Sequence, residues 1–344
     1  MKKYRIGELG EIFTGNTPSK KNNEFYESED IMFIKPDILS SNITIIKQAN
    51  EYLSEKAREK ARIIPKGSLL VSCIGNIGKL GINIEEVAFN QQINAIVHNS
   101  KISSSKYLAY LLKYNQKKLE SIANAPVVPI INKNQFSNFE LSIHEELEIQ
   151  SKIVEILDKA QELIDKRKEQ IKTLDELVKS QFIEMFGDPI LNKKGWETKL
   201  LGEVCEMKAG KNIKAADIYP ENIGKLYPCY GGNGLRGYVK EYSHDGNIPL
   251  IGRQGALCGN VKYAQGKFYA TEHAVVTQPK IEMNSYWLYF ILEQLDLNRL
   301  STGAAQPGLT VGKLNKVELP IAPIGLQNKF EEFALQADKL KFKL

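Results

Sequence analysis

The chain is written twice, and a duplication this long restricts the fold more than any local pattern can. Ile6-Gly7-Glu8-Leu9 returns as Leu201-Gly202-Glu203-Val204, and Gly15 returns as Gly210, both at an offset of 195 residues. Tyr107-Leu108-Ala109-Tyr110-Leu111-Leu112 returns within Trp287-Leu288-Tyr289-Phe290-Ile291-Leu292 at an offset of 180. Phe139-Glu140-Leu141-Ser142-Ile143 matches Val317-Glu318-Leu319-Pro320-Ile321 at 178, and Gln150-Ser151-Lys152 matches Gln327-Asn328-Lys329 at 177. The second copy is therefore about 18 residues shorter, with most of the loss between opening and middle, as variable loops on a constant frame would give. Two copies of so long a period are not a solenoid. A chain of 344 residues also exceeds one ordinary core, so two globular domains are expected.

Between the copies, residues 146–186 contain no Gly or Pro and are rich in Glu, Lys, Leu, Ile and Gln, which predicts one long helix. Ile149, Ile153, Ile156, Ala160 and Leu163 fall at alternating four- and three-residue spacing, then Ile171, Leu174 and Val178 resume it. That rhythm is a coiled-coil seam, with a stutter at Arg167. Gly187-Asp188-Pro189 supplies the stop. Leu326, Phe330, Phe333, Ala337, Leu340 and Leu344 repeat the seam, each 177 residues after its counterpart. Two matched seams leaving equivalent domains predict antiparallel pairing about a pseudo-two-fold axis. About 40 helical residues make a rod of roughly 60 Å, able to act as a ruler. The expected class is α+β: two pseudo-repeated globular domains, 1–145 and 188–323, separated by a central helix, 146–187, that pairs as an antiparallel coiled coil with a short C-terminal helix, 324–344.

Several classes of function are disfavoured. No apolar run approaches the ~20 residues of a membrane span, and Lys2 and Lys3 are not followed by a signal-peptide core, which predicts a cytoplasmic protein without membrane association. Four scattered cysteines, Cys73, Cys205, Cys229 and Cys258, suggest neither a disulfide framework nor zinc, and Cys229, His244, Cys258 and His273 are spaced too widely for a standard metal site. Gly75-Asn76-Ile77-Gly78-Lys79-Leu80 lacks the spacing and hydroxyl of a phosphate-cradling loop, so nucleotide hydrolysis is not expected. Catalytic, metal and cofactor sites are all expected to be absent from this chain. One enzymatic alternative is a metal-dependent endonuclease built on Glu206 and Lys208 with Asp188 upstream. Another reading is a coiled-coil assembly protein without DNA affinity.

Binding features are better represented. Net charge is +5 with an isoelectric point near 8.7, compatible with a polyanionic partner. The first copy offers Lys20, Lys21, Asn22, Lys79, Gln91 and Gln92, and the second offers Lys211, Asn212, Lys214, Arg236, Arg253 and Gln254. Arg can donate twice to guanine, Asn and Gln pair with adenine, and Lys neutralises phosphate. The aromatic run Tyr286-Trp287-Leu288-Tyr289-Phe290 shares its register with the first copy and is assigned to the core.

The whole pattern resembles the specificity subunits of type I restriction-modification enzymes. The resemblance is carried by Ile164-Asp165-Lys166-Arg167, by Leu174-Asp175-Glu176-Leu177-Val178-Lys179-Ser180-Gln181-Phe182, and by Phe186-Gly187-Asp188-Pro189. Gly195-Trp196 before Leu201-Gly202-Glu203-Val204 and Leu319-Pro320-Ile321-Ala322-Pro323-Ile324 before Gln327 extend it over nearly the whole chain. The resemblance implies two target recognition domains that each read half of a split double-stranded DNA site, with helices that set the gap. It also implies methyltransferase partner subunits, which bind S-adenosylmethionine, and a motor-nuclease subunit, with ATP and magnesium on the partners. This chain has no Asn-Pro-Pro-Tyr or Asp-Pro-Pro-Tyr methyl-donor motif, so it is not expected to methylate DNA alone. The second helix, about 20 residues long, is short against the family pattern, which implies pairing over half the coil or a shortened variant.

Overall fold

The computed structural model describes the chain except residues 124–127, 256, 303–306 and 344 and the side chains of 342 and 343. The chain divides into two compact units, Met1–Asp165 and Lys166–Leu344. Each is built from the same sheets in the same order, so the duplication read in the sequence is a duplication of topology.

In the first unit, a two-stranded antiparallel clasp joins Lys2–Arg5 to Glu140–Ile143, with Tyr4 opposite Leu141. A five-stranded sheet follows in the order Gly10–Thr14, Ile93–His98, Leu69–Ser72, Leu80–Asn83, Ile43–Ile46. A four-stranded sheet runs Glu51–Leu53, Ile31–Ile34, Val87–Phe89, Ile63–Ile64, its middle pair parallel. In the second unit, Glu197–Leu200 clasps Glu318–Ile321, with Lys199 opposite Leu319. The larger sheet becomes Cys205–Ala209, Ala274–Pro279, Ile248–Gly252, Val261–Ala264. The smaller becomes Gly234–Val239, Tyr227–Gly231, Lys267–Ala270, His244–Asp245, again with a parallel middle pair. The strand Ile43–Ile46 has no counterpart among the described residues of the second unit, and it falls where the shorter copy loses length.

Central strands such as Leu69–Ser72 and Ile31–Ile34 are buried along their whole length, so they read as continuous apolar runs rather than as alternation. Helix α1 (Ser105–Tyr114) covers the first core with Tyr107, Leu108, Ala109 and Leu112. Helix α2 spans Leu147–Phe186, α3 spans Ser285–Gln294, and α4 spans Ile324–Lys343. The aromatic run on α3 is core as expected: Trp287, Leu288 and Phe290 are buried. No helix among the described residues is long and apolar enough to cross a membrane.

Each long helix starts from a buried glutamine that pins it to its own unit. Gln150 is fully buried; its side-chain oxygen accepts from Ser103 N–H at 2.8 Å, and its amide donates to the carbonyls of Lys101 and His144 at 2.8 and 2.7 Å. Its counterpart Gln327 accepts from Asn284 N–H at 2.9 Å and donates to Ala322 O at 2.7 Å. Replacing Gln150 with leucine keeps the volume and strands three buried backbone groups. The first unit should lose about 3 kcal/mol, read as a lower urea midpoint; a loss under about 0.5 kcal/mol would show that the pin carries no weight.

The antiparallel helix pair is present, and its register corrects the expected one. Phe330 near the start of α4 meets Phe182 and Phe186 near the end of α2, with ring centroids 5.2 and 5.7 Å apart. Lys341 near the end of α4 reaches back to Asp175 at 2.5 Å. Phe330, Ala334 and Ala337 are buried with Val178, Phe182 and Phe186, and Leu326, Phe333 and Met185 flank that core. Of the expected first-half seam, Ile149, Ile156, Ala160 and Leu163 are exposed, and Ile153 packs with Val154 on the core of the first unit. Leu340 is half exposed, and Leu344 lies outside the described residues. The cause is anchoring: the glutamine pin turns the first turns of α2 toward its own domain, where Asp158 takes Lys106 Nζ at 2.5 Å and Tyr110 Oη at 2.8 Å. The α2 stop is as expected: Gly187 has φ +79°, Asp188 Oδ1 accepts from Ile190 N–H, and the Trp196 indole donates to Phe186 O at 2.8 Å.

Candidate nucleic-acid interface

In each unit four loops meet at one place, and backbone hydrogen bonds fix them to one another. In the first unit, Gly15 N–H donates to Ile93 O and Asn16 N–H to Phe89 O, seating the first loop on the turn Asn90-Gln91-Gln92. Cys73 N–H donates to Gln92 O, while the hairpin tip at Gly75 donates to Pro129 O. In the second unit the same bonds recur: Gly210 N–H to Ala274 O, Lys211 N–H to Ala270 O, Arg253 N–H to His273 O, and Gly255 N–H to Pro307 O. The close approach demands glycine at the first loop. A Cβ on Gly15 would sit 2.2 Å from Asn90 O, and one on Gly210 would sit 2.1 Å from Ala270 O. Gly75 and Gly255 have φ of +76° and +87°, with open space where a side chain would stand, as hairpin tips facing a ligand would.

The sequence-derived candidates distribute unevenly over this frame. Gln91 and Gln92 are on the turn, but both are engaged: Gln91 Oε1 accepts from Thr17 Oγ1 at 2.8 Å, and Gln92 Oε1 from Asn90 Nδ2 at 2.9 Å. Lys79 is half-buried beyond the hairpin tip, its N–H bonded to Ser72 Oγ. Lys20 and Lys21 are exposed, while Asn22 caps the turn Asn23–Tyr26 by accepting from Glu24 N–H. In the second unit, Lys211, Asn212 and Lys214 are exposed along the loop that leaves the first strand. Arg236 is exposed on Gly234–Val239, beside the hairpin glycines. A Cβ on Gly232 would come within 3.4 Å of the carbonyls of both His273 and Gln254, so the tip of this second hairpin abuts Arg253, Gln254 and the turn Thr271-Glu272-His273.

Glu272 is not among the sequence candidates, and His273 is considered there only as a metal ligand. They occupy the repeat position of Gln91 and Gln92, offset by 181, and that equivalence was the signal available. The endonuclease candidates are not arranged for metal chemistry. Glu206 is paired to Lys208 at 2.5 Å on an exposed strand face, and Asp188 is spent on the turn after α2. Among the described residues no group of three or more potential metal ligands comes together.

A family model for the type I restriction modification DNA specificity domain matches residues 1–174 and 193–341, one match over each copy. The chain belongs to the type I specificity family. The family's specificity subunit is non-catalytic and confers DNA specificity, so neither an enzymatic reading nor one without DNA is supported. Among curated relatives, the EcoprrI specificity subunit of Escherichia coli is 33% identical over 94% of this chain and 84% of its own length. The MjaIX specificity subunit of Methanocaldococcus jannaschii is 26% identical over 95% and 84%. A crystallised type I S subunit from M. genitalium shares the fold with a TM-score of 0.63 at 17% identity, covering 99% of this chain and 90% of that one. A chain from a study of complex assembly and conformational transition in the type I system aligns with a TM-score of 0.58 at 18% identity, over 99% and 92%.

Proposed function

We propose that this specificity subunit reads a bipartite target in double-stranded DNA, one half with each loop cluster, and that α2 and α4 set the gap between halves. Residues 1–145 and 188–323 are the reading domains in this proposal, and 146–187 and 324–344 the helical spacer. The observation that supports it most directly is the repetition of the loop cluster, bond for bond, at residues 15–17, 73–75, 90–92 and 129–131 and again at 210–212, 253–255, 271–273 and 307–309. A pair of equivalent surfaces in one chain fits a target with two halves. We further propose methyltransferase subunits carrying S-adenosylmethionine and a motor-nuclease subunit using ATP and magnesium as its partners, and the cytoplasm as its location.

Selection from a random duplex library, with the methyltransferase partner present, tests the reading. A split motif is expected, its half-site centres about 10 base pairs apart as for other two-headed readers; one contiguous motif, or none, would sink it. Binding should also weaken steeply with salt, and Lys20→Ala, Lys21→Ala, Lys211→Ala or Lys214→Ala should each flatten the log–log slope by about 1 if the side chain meets phosphate. An unchanged slope for all four would remove these lysines from the interface.

A further inference from the structure

The loop cluster of the second unit contains something that of the first does not: an arginine, a glutamate and a histidine with unmet hydrogen-bonding capacity. Arg253 Nε, Glu272 Oε2 and His273 Nδ1 are each shielded from solvent and without a hydrogen-bond partner. Arg253 forms no ion pair among the described residues. Its backbone is nevertheless held from both sides, by N–H to His273 O at 3.0 Å and by Leu309 N–H to its carbonyl at 2.9 Å. Glu272 Oε1 lies 3.1 Å from His273 Nε2, so the imidazole holds one carboxylate oxygen and leaves the other uncommitted. Oε2 and Nδ1 themselves are shielded, while the two side chains as a whole keep more than a third of their surface exposed. The equivalent residues of the first unit are Cys73, Gln91 and Gln92, neutral side chains, and the oxygens of the two glutamines are satisfied internally. The fold therefore does not require the trio, since the same frame stands without it.

Resting on the two-headed reading above, we propose that Arg253 and Glu272 together read a G·C base pair in the half-site of the second unit, with His273 as the positioning residue for the carboxylate. The chemistry is complementary in sign and number. In the major groove guanine presents two adjacent acceptors, N7 and O6, which suit the fork of a guanidinium, and its partner cytosine presents the N4 amine, which suits a carboxylate. An A·T pair offers no such adjacent acceptor pair on one base. Against an A·T pair the guanidinium fork loses one of its two acceptors, and a donor stripped of water without a partner is costly.

The experiment is the duplex selection repeated with variants of the full chain in the presence of the methyltransferase partner. Exchange of residues 1–143 for those of another family member identifies which half belongs to the second unit, since only the other half should change. The wild-type half so identified should contain one invariant G·C position. Arg253→Ala should relax preference at that position by about ten- to a hundredfold and spare the rest of the motif. Arg253→Lys keeps the charge but not the fork, and should relax it as well. Glu272→Gln and His273→Ala should weaken the same position and no other, the latter less. If the second half has no invariant G·C position, or if a folded Arg253 variant retains full discrimination, this assignment is overturned while the two-headed reading survives. A contiguous motif for the wild type would overturn both.

Discussion

Replacement of Phe182 by alanine should cost the second unit about 3–5 kcal/mol, the range for deleting a fully buried aromatic side chain. Phe182 has no exposed surface and sits inside a ring cluster, with centroids 4.9 Å from Phe186, 5.0 Å from Phe290 and 5.2 Å from Phe330. These four rings come from α2, α3 and α4, so one deletion loosens the helix pair and its seat on the β-structure together. Aromatic contacts add to the area term, and the stiff surroundings leave little room to collapse into the cavity. Urea unfolding monitored by hydrogen exchange in each unit would show the loss confined to protection of residues 166–343, with protection of the first sheets retained. A loss below about 1 kcal/mol would mean that the pair is held elsewhere.

Lengthening α2 should move the two halves of the DNA motif apart without altering either. Seven residues preserve the heptad phase and add about 10 Å, close to three base pairs of B-form rise. The exposed stretch around Leu163 and Ile164, where no seam contact is broken, is the place to insert them. Affinity for the original spacing should drop by about a hundredfold or more, because only one reading domain can then engage while the other hangs free. Motif selection on the lengthened chain measures both effects. An unchanged spacer would remove α2 from the role of ruler.

The frame was legible in the sequence for a physical reason. Positions that pack identically in both copies, such as Leu108 and Leu288 or Leu141 and Leu319, repeat because the same neighbours surround them. The helix register was not legible. The four- and three-residue spacing breaks at Arg167, and beyond Val178 the buried residues Phe182 and Phe186 follow at four-residue steps. The sequence therefore offers two apolar stretches of α2, one around Ile149 and Ile156 and one from Val178 to Phe186, as partners for Phe330. What decides is Gln150, whose role is invisible in one dimension because its bonds go to backbone groups of Lys101, Ser103 and His144. The site divided in the same manner. Amides and basic side chains stand out as candidate nucleic-acid ligands, which singles out Gln91 and Arg253, and the structure places both in the loop clusters. A glutamate does not, and only its place in the repeat, 181 residues after Gln91, picks out Glu272. Asn22 looked equally promising, yet its oxygen is committed to the turn that follows it.

The clasp strands have an evolutionary consequence. Lys2–Arg5 with Glu140–Ile143, and Glu197–Leu200 with Glu318–Ile321, bring the chain into and out of each unit side by side. A module stitched shut at its own neck can be cut out and replaced by a foreign one without disturbing what holds it. Crossing-over at the clasps, rather than gradual change within the loops, is then the shortest genetic route by which such a molecule acquires a new address on the genome.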